Sequence, residues 1–243
     1  MQKLKIAIVG YGQMGKRIEA LANESGNFIV TNIFDAKNPI TGGDYEVAID
    51  FTSPLHAFDN VQKLASYGKN IVLGTTGWYD DEDKMKKVIE DAGVGLVWGS
   101  NFSMGVQMYF RIVRAAARLV EKTDGYDTFA HEIHHVRKKD SPSGTAESIG
   151  KILMEELSGK SKLETGRIDE PIGSDKLHFS SSRGGDIFGR HTVYFDSLAD
   201  TIEIQHNAKG RDGFALGSLH AAQWIADRKG FHSFDELMDD VFG

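Results

Sequence analysis

Short apolar runs and helical repeats alternate through the first hundred residues of the chain. Branched and aromatic side chains concentrate in five runs, at residues 4–9, 28–34, 46–51, 70–73 and 95–98. Apolar residues recur at helical spacing at residues 16–23, 55–66 and 81–92. Because runs without polar alternation are typical of strands buried on both faces, this order predicts an α/β fold with a Rossmann-like, doubly wound parallel sheet.

The pattern changes after residue 103. A long helix is predicted over residues 104–122, then an extended stretch, a second helix over 144–157 and a long polar loop. Three strands without intervening helices follow, at residues 177–182, 186–196 and 201–207, the second bent near Gly189. They predict an α+β region with a mixed, mostly antiparallel sheet. We therefore expect two domains, formed by residues 1–103 plus 214–243 and by residues 104–213.

Composition narrows the possible functions. A net charge of −7 argues against nonspecific binding to nucleic acid or to anionic membranes. The chain has no cysteine, which excludes disulfides, cysteine-ligated zinc and thiol catalysis. No apolar run approaches the roughly 20 residues of a membrane span, and the first residues lack the apolar stretch of a signal peptide. We expect a soluble, cytoplasmic protein.

A glycine-rich turn follows the first predicted strand. Gly10, Gly12 and Gly15 form a G-x-G-x-x-G pattern that opens a helix, and Asp35 ends the second strand, 20 positions beyond Gly15. In a dinucleotide-binding fingerprint the glycines permit a tight turn, close approach of a pyrophosphate and close helix packing, and the acid accepts hydrogen bonds from the ribose. This predicts a dinucleotide-binding domain. Its expected ligands are NADH, NADPH or both, held by Gly10, Tyr11, Gly12, Gln13, Met14, Gly15 and Asp35.

Two further turns of small residues follow predicted strands, at residues 74–77 and 99–103. Small residues at strand ends also occur as ordinary loop punctuation. Their position at the carboxyl edge of a doubly wound sheet favours contact with the nicotinamide half of the cofactor. The residues predicted there are Gly74, Thr75, Thr76, Gly99, Ser100, Asn101 and Phe102.

The stretch from His131 to Thr145 holds three histidines and five other charged residues. Unpaired charges are costly to bury, so this density indicates a functional site rather than core. Residues 131–135 match H-E-x-x-H, the pattern of zinc hydrolases, which requires a helix to bring both histidines to one face. The segment has too little room for such a helix, and in a strand Glu132 and His134 point to the opposite side from His131 and His135. We therefore expect no metal.

Residues 132–145 resemble the E-x-H-H-x-x-K-x-D-A-P-S-G-T signature of the 4-hydroxy-tetrahydrodipicolinate reductases, also called dihydrodipicolinate reductases. The glycine turn and the segments 74–77, 100–103 and 183–191 also fall in the family's order, so the resemblance spans the whole chain. One departure is Ser141, where the signature has alanine. A second is the shorter form of the glycine turn, since many members have an extra glycine there.

The resemblance implies an oxidoreductase that reduces a cyclic imine dicarboxylate with NADH or NADPH, in the diaminopimelate and lysine pathway. It implies that His134 donates or accepts a proton, that Lys138 donates one, and that His135, Gly144 and Thr145 bind substrate. The chemistry agrees, because hydride addition to a conjugated imine leaves negative charge that a nearby histidine or lysine can protonate. The second domain would bind substrate and join a homotetramer through its sheet.

Two further expectations concern geometry and cofactor. If residues 134–138 stayed extended, their Cα atoms would lie roughly 13 Å apart, so the strand should end near His135 and the chain should turn. Family members that favour NADPH often place arginine just after the acid of the second strand, where this chain has Ala36 and Lys37. We expect both cofactors to be used, and NADH at least as well as NADPH. A nicotinamide-binding regulatory module without turnover remains the alternative from a different class.

Overall fold

The structure is a computed structural model and describes residues 2–242. Its strands are β1 (Leu4–Val9), β2 (Phe28–Phe34), β3 (Val47–Asp50), β4 (Asn70–Leu73), β5 (Gly95–Trp98), β6 (Asp127–His134), β7 (Lys162–Glu164), β8 (Lys176–Arg183), β9 (Gly189–Asp196), β10 (Thr201–Ala208) and β11 (Gly230–Ser233). Its α-helices are α1 (Gln13–Ser25), α2 (Pro54–Ser66), α3 (Glu82–Ala92), α4 (Met104–Val120), α5 (Gly144–Glu156), α6 (Asp212–Ile225) and α7 (Phe234–Phe242), and Tyr79–Asp81 forms a 3-10 turn.

The chain divides into two compact units. The first contains the described residues up to Met104 and those from Arg211 onward, and the second contains Gly105–Gly210. None of the helices among residues 2–242 is long and apolar enough to cross a membrane.

The first unit is built on a six-stranded sheet in the order β11–β5–β4–β3–β1–β2. Every pairing in it is parallel. β2 lies on one side of β1 and β3 on the other, so the strand order reverses between β1 and β3. In a doubly wound sheet such a reversal opens a crevice at the carboxyl ends of the strands, and this is where nucleotides bind. The predicted Rossmann-like architecture is confirmed.

Alternate residues of the central strands enter different cores. Ile6 and Ile8 of β1 pack with α1, α6 and α7, whereas Ala7 and Val9 pack with α2 and α3. Because helices cover both faces, the buried part of each central strand is apolar throughout, which explains the uninterrupted run I-A-I-V at residues 6–9. The four-residue strand β11 was not predicted. It pairs in parallel with β5 and extends the sheet at that edge.

The second unit contains a five-stranded sheet in the order β10–β9–β6–β8–β7. The predicted mixed sheet is confirmed, with parallel pairing of β6 to β8 and of β7 to β8, and antiparallel pairing of β6 to β9 and of β9 to β10. Parallel strand pairs are as frequent as antiparallel ones, rather than fewer as predicted, because α5 follows β6 and returns the chain so that β7 and β8 run in the same direction as β6. The short strand β7 lies inside the region predicted as a loop.

One face of this second sheet is covered by α4 and α5. Val113 and Ala117 of α4, and Ile149 and Leu153 of α5, pack on alternate apolar residues of β6, β8 and β9. On the opposite face the rings of Phe129 and Tyr194 stack with their centroids 4.7 Å apart, and Phe129 is partly exposed. We call this second surface the open face.

Candidate active site

The glycine turn between β1 and α1 has the geometry that the sequence predicts. Gly10 adopts a φ of 90°, and a Cβ there would lie 2.6 Å from the carbonyl oxygen of Phe51. A Cβ on Gly15 would lie 2.2 Å from the carbonyl oxygen of Gly10, so α1 approaches the turn closely only because both are glycine. Gly12 is exposed, and a Cβ there would meet nothing within 4 Å. The first amides of α1 are thus open to a phosphate.

Asp35 follows β2 directly and lies beside this turn. The amide of Gly10 donates a hydrogen bond to the carbonyl of Phe34 at 2.9 Å, which fixes the end of β2 next to the turn. The Asp35 Oδ1 accepts hydrogen bonds from the amides of Lys37 and Asn38, at 2.8 and 2.9 Å. These bonds hold an exposed carboxylate at the carboxyl end of the strand.

The small-residue turns after β4 and β5 are less open than the sequence suggests. Thr75 is buried, and its hydroxyl donates to Asp50 Oδ1 at 3.1 Å and accepts from the Thr52 amide at 2.9 Å. Phe102 is also buried, with its ring centroid 4.6 Å from that of Phe234. The Phe102 ring and the Thr75 hydroxyl are therefore committed to the protein interior. Thr76 and Ser100 are exposed at the same turns.

Asp50 is a buried residue of this region that sequence reasoning missed. Its carboxylate accepts hydrogen bonds from the Thr52 amide and hydroxyl, the Thr75 hydroxyl and the side-chain amide of Asn60, at 2.7 to 3.1 Å. It thereby joins the turns that follow β3 and β4. An acid at the end of an otherwise apolar predicted strand was the available signal.

The end of β6 presents the candidate catalytic histidine. Glu132 and His134 are buried on one face of the strand, while His131 and Ile133 lie on the other and are half-buried. The strand ends at His134, and the amide of Lys138 donates to the carbonyl of His135 at 3.1 Å, which closes a turn. The expected end of the strand and the turn are both confirmed.

Lys138 and the first turn of α5 follow at once. The ammonium of Lys138 lies 2.7 Å from both carboxylate oxygens of Asp140. Burial alone would raise the pKa of Asp140, but its hydrogen bond and ion pair with Lys138 lower the pKa on balance. After a cis Ser141–Pro142 bond, Ser143 caps α5 by accepting from the Ala146 amide at 3.2 Å. Gly144 is exposed at this helix start, and Thr145 is half-buried.

His135 lies against a loop that runs from Arg183 to Gly189. Its amide donates to the carbonyl of Ile187 at 2.7 Å, and its imidazole meets the ring of Phe188 edge to face at 6.3 Å. At the end of this loop, a Cβ on Gly189 would lie 3.0 Å from His134 Nε2. Glycine at this position therefore leaves room beside the imidazole.

Glu132 is surrounded by hydrogen-bond donors, a set that sequence reasoning did not predict. Oε1 accepts from the Ser143 amide at 3.1 Å, from the Ser181 hydroxyl at 2.8 Å and from Arg183 at 3.0 Å. Oε2 accepts from the Ser143 hydroxyl and lies 3.3 Å from His134 Nδ1 and 3.4 Å from His191 Nε2. We call these residues the Glu132 cluster.

The charge of the Glu132 cluster is balanced by Arg183. Burial alone would raise the pKa of Glu132, but its close contacts with His134 and His191 and the hydrogen bonds from Ser143 and Ser181 outweigh burial and hold the pKa far below its usual range. Burial lowers the pKa of His191 more than its contact with Glu132 raises it, which favours the neutral imidazole. Arg183 therefore supplies the compensating positive charge.

Glu132, His134 and His191 also offer three possible metal ligands within 4.8 Å of one another. These are not the two histidines of the H-E-x-x-H match, because His131 contacts Ser182 on the other side of β6. The surrounding Arg183 and Ser143 donors satisfy the carboxylate by hydrogen bonds, which is unlike the acceptor-oriented shell of a metal site.

Strand register explains why the Glu132 cluster escaped prediction. Glu132 pairs with Ser181 on β8 and with His191 on β9, and His134 pairs with Arg183. Alternation along β6 indicates from sequence alone that Glu132 and His134 share a face. Which residues of β8 and β9 oppose them depends on register, which short strands without a tight hairpin do not specify.

The fold and the site together define an oxidoreductase that combines a nucleotide-binding unit with a unit carrying a buried histidine and a paired lysine. Residues 40–102 match the family described as "Dihydrodipicolinate reductase, N-terminus", and residues 105–238 match "Dihydrodipicolinate reductase, C-terminus". The chain belongs to the dihydrodipicolinate reductase family. It is therefore a dihydrodipicolinate reductase, an activity also named 4-hydroxy-tetrahydrodipicolinate reductase, of the diaminopimelate and lysine pathway.

Individual relatives agree with this assignment. A 4-hydroxy-tetrahydrodipicolinate reductase of Christiangramia forsetii is 34% identical over 241 residues, covering 98% of this chain and 99% of the relative. One of Archaeoglobus fulgidus is 36% identical over 81% of this chain and 77% of its own. A dipicolinate-bound dihydrodipicolinate reductase from Paenisporosarcina sp. TG-14 has the same fold, with a TM-score of 0.75 at 19% identity, covering 96% of this chain and 98% of its own.

Proposed function

We propose that His134 and Lys138 handle the protons of this reduction and that His135, Gly144 and Thr145 bind the dicarboxylate. The observation that supports these roles is the turn closed by Lys138 and His135, which directly follows the buried His134 and is joined by residues 139–143 to the first turn of α5. Without that turn, residues 134–138 would extend over roughly 13 Å and could not serve one small substrate.

The proposed roles divide the substrate's needs among neighbouring groups. An anionic carboxylate binds well at a helix start, where Gly144 is exposed and Thr145 follows it, and to an ammonium such as that of Lys138. His134 contacts the Glu132 carboxylate through Nδ1, so its Nε2 is the atom that would exchange a proton with the substrate. His135, beside Phe188, would contact the edge of the ring.

The reductant is a nicotinamide cofactor, and the first unit fits it. The open amides at Gly12 and the start of α1 would hold the pyrophosphate, and Asp35 would accept hydrogen bonds from the adenosine ribose. The proposed cofactor site is completed by Tyr11, Gln13 and Met14 and by the turns at residues 74–76 and 99–102. Thr75 and Phe102 would contribute backbone atoms only, since their side chains are committed to the interior. When bound, the reduced nicotinamide supplies the hydride.

We propose that both NADH and NADPH are used, and NADH at least as well as NADPH. The Asp35 carboxylate would repel a 2′-phosphate, while Lys16, Arg17 or Lys37 could offset that repulsion. The test is a coupled assay in which the preceding synthase makes the substrate in situ and loss of reduced-nicotinamide absorbance is followed. The Michaelis constants for the two reductants are expected to lie within about tenfold, with that for NADH no larger.

Two results would contradict this proposal in different ways. A preference of a hundredfold or more for NADPH would overturn the cofactor expectation alone. Cofactor binding without substrate-dependent turnover would instead favour a regulatory module, and the assigned proton-transfer roles would be lost with it. Reaction mixtures lacking the synthase serve as the control, since they measure oxidation of the reductant without substrate.

We also propose that the chain forms a homotetramer joined through the open face of the second sheet. The stacked Phe129 and Tyr194 rings support this, because aromatic side chains on a sheet surface are typical of an interface. Light scattering on the purified protein should give about four times the chain mass of 26.8 kDa, and a monomer would contradict it.

The cytoplasm, which supplies both reductants, is the proposed compartment.

A further inference from the structure

We propose that Glu132 and Arg183 are positioning residues that hold three parts of the active site in register: the His134 imidazole, the loop bearing Lys138, and the first turn of α5. This inference rests on the proposed roles of His134 and Lys138. It assigns a function to a buried carboxylate and a partly buried guanidinium that neither touch the reacting atoms in that proposal nor contribute to the apolar core.

Glu132 sets the position of the histidine and of the helix start. Its side chain is fully buried two residues before His134, with Oε2 at 3.3 Å from the imidazole Nδ1. This contact favours the tautomer that carries hydrogen on Nδ1, and so presents Nε2 toward the space beside Gly189. The same carboxylate accepts from both the amide and the hydroxyl of Ser143, the residue that caps α5.

Arg183 links the strand to the loop that carries the lysine. Its Nη2 donates to Glu132 Oε1 at 3.0 Å and to the carbonyl oxygen of Asp140 at 2.7 Å. Asp140 in turn holds the Lys138 ammonium through both carboxylate oxygens. Charge-assisted hydrogen bonds thus run from Glu132, which contacts His134, through Arg183 to the residue that anchors Lys138.

A carboxylate is required at this point because its neighbours are donors. The two oxygens of Glu132 accept from Ser143, Ser181 and Arg183, and a glutamine would turn an amide NH₂ group toward one of these sets. Replacing Glu132 with glutamine would also leave the guanidinium of Arg183, whose side chain is only 21% exposed, without a balancing negative charge. Glu132→Gln therefore preserves shape while disconnecting the three parts.

The chain contains a matched control for this substitution. Glu156 of the same unit is also largely buried, with 14% of its side chain exposed, and it pairs with two arginines, Arg114 and Arg118. It lies at the last residue of α5, at the opposite end of the helix from Gly144. Glu156→Gln removes a buried carboxylate paired with arginine without touching the Glu132 cluster.

The experiment measures kcat, both Michaelis constants and thermal stability for Glu132→Gln, Arg183→Lys and Glu156→Gln. Displacing catalytic groups by about an ångström costs on the order of 100-fold, so we expect kcat to fall about 10- to 100-fold in Glu132→Gln. Arg183→Lys keeps the charge but loses the planar fork, and a fall of about 5- to 20-fold is expected. The Michaelis constant for the reductant should stay within about twofold, and Glu156→Gln should retain wild-type kcat.

Combination with His134→Ala separates positioning from a general loss of folded protein. The part of the Glu132 effect that acts through His134 is already lost in His134→Ala, so the double variant should be slower than His134→Ala by clearly less than the factor seen in Glu132→Gln alone, because the effects of residues that act together are not additive. A purely structural role would slow the double variant further by the full factor seen in Glu132→Gln. That result would overturn the proposal.

Three other outcomes would also overturn it. One is wild-type kcat in Glu132→Gln or, if that variant fails to fold, in Arg183→Lys. A second is an equal loss in the Glu156→Gln control. The third is zinc bound in stoichiometric amount, by metal analysis, and lost in Glu132→Gln, which would make the cluster a metal site. If the wild-type protein itself shows no substrate-dependent turnover, the proposed function fails instead, so the two failures are distinguishable.

Discussion

Replacing His134 with alanine is expected to lower kcat by about 10²- to 10⁴-fold, the usual contribution of a positioned acid or base. The imidazole is buried at the end of β6 and its Nδ1 lies 3.3 Å from Glu132, so the other ring nitrogen, Nε2, is left to exchange the proton. Because the substituted residue belongs to the second unit and the cofactor is assigned to the first, the Michaelis constant for the reductant should change less than about twofold.

Measurement of this effect requires a histidine control on the same strand. His131 lies three residues earlier on the opposite face of β6, where its imidazole contacts Ser182 at 3.0 Å. We expect His131→Ala to keep kcat within about threefold, since it removes one half-buried hydrogen bond and no proposed proton donor. Near-normal turnover in His134→Ala, or an equal loss in His131→Ala, would show that the proton-transfer role is wrongly assigned.

The nucleotide-binding half of the protein was predictable because its constraints are local. Gly10 has a φ of 90°, and a Cβ on Gly15 would lie 2.2 Å from the Gly10 carbonyl oxygen, so both requirements arise within one strand–turn–helix unit and their spacing appears directly in the sequence. The central strands are likewise recognisable in the sequence, since burial on both faces requires a continuous apolar run. What escaped prediction here was β11, whose four residues include a glycine, a histidine and a serine and carry no apolar period.

In the second unit, only those site residues that are close together in the sequence could be predicted. His134, Lys138 and the helix start at Gly144 are close in sequence, and the need for a turn after His135 followed from the extended length of a strand. The partners that hold them come from elsewhere, because Arg183 and His191 reach the site through the pairing of β6 with β8 and β9. Nonlocal register of this kind has no signal in one sequence.

The difference between the H-E-x-x-H match and the Glu132 cluster shows the same limit of prediction from a single sequence. Alternation along β6 correctly separated Glu132 and His134 from His131. It could not reveal that His191 would complete a group of three possible ligands with Glu132 and His134, because His191 lies 57 positions beyond His134 in the chain and meets it only in the folded sheet. The H-E-x-x-H match does not bring its two histidines together, whereas strand register brings together Glu132, His134 and His191.

Lys138 is the second residue whose loss should be severe, and two substitutions separate its roles. Lys138→Ala removes both a cation for the substrate carboxylate and a proton donor, so we expect kcat/KM to fall about 10²- to 10⁴-fold. Lys138→Arg keeps the positive charge, and its contact with Asp140 can be retained, but guanidinium does not release a proton near neutral pH. In that variant the Michaelis constant for substrate should stay within about fivefold while kcat falls about 10²-fold or more.

The neighbouring Lys139 supplies the control for this pair. It is exposed on the same loop, so Lys139→Ala removes an equal charge within one residue of the site and should change kcat/KM by less than about threefold. If Lys138→Arg keeps wild-type kcat, the lysine serves binding alone and His134 must handle the proton unaided. If Lys138→Ala and Lys139→Ala lose activity equally, the loop contributes only its positive charge. The contact of Lys138 with both carboxylate oxygens of Asp140 would then have no role in the reaction.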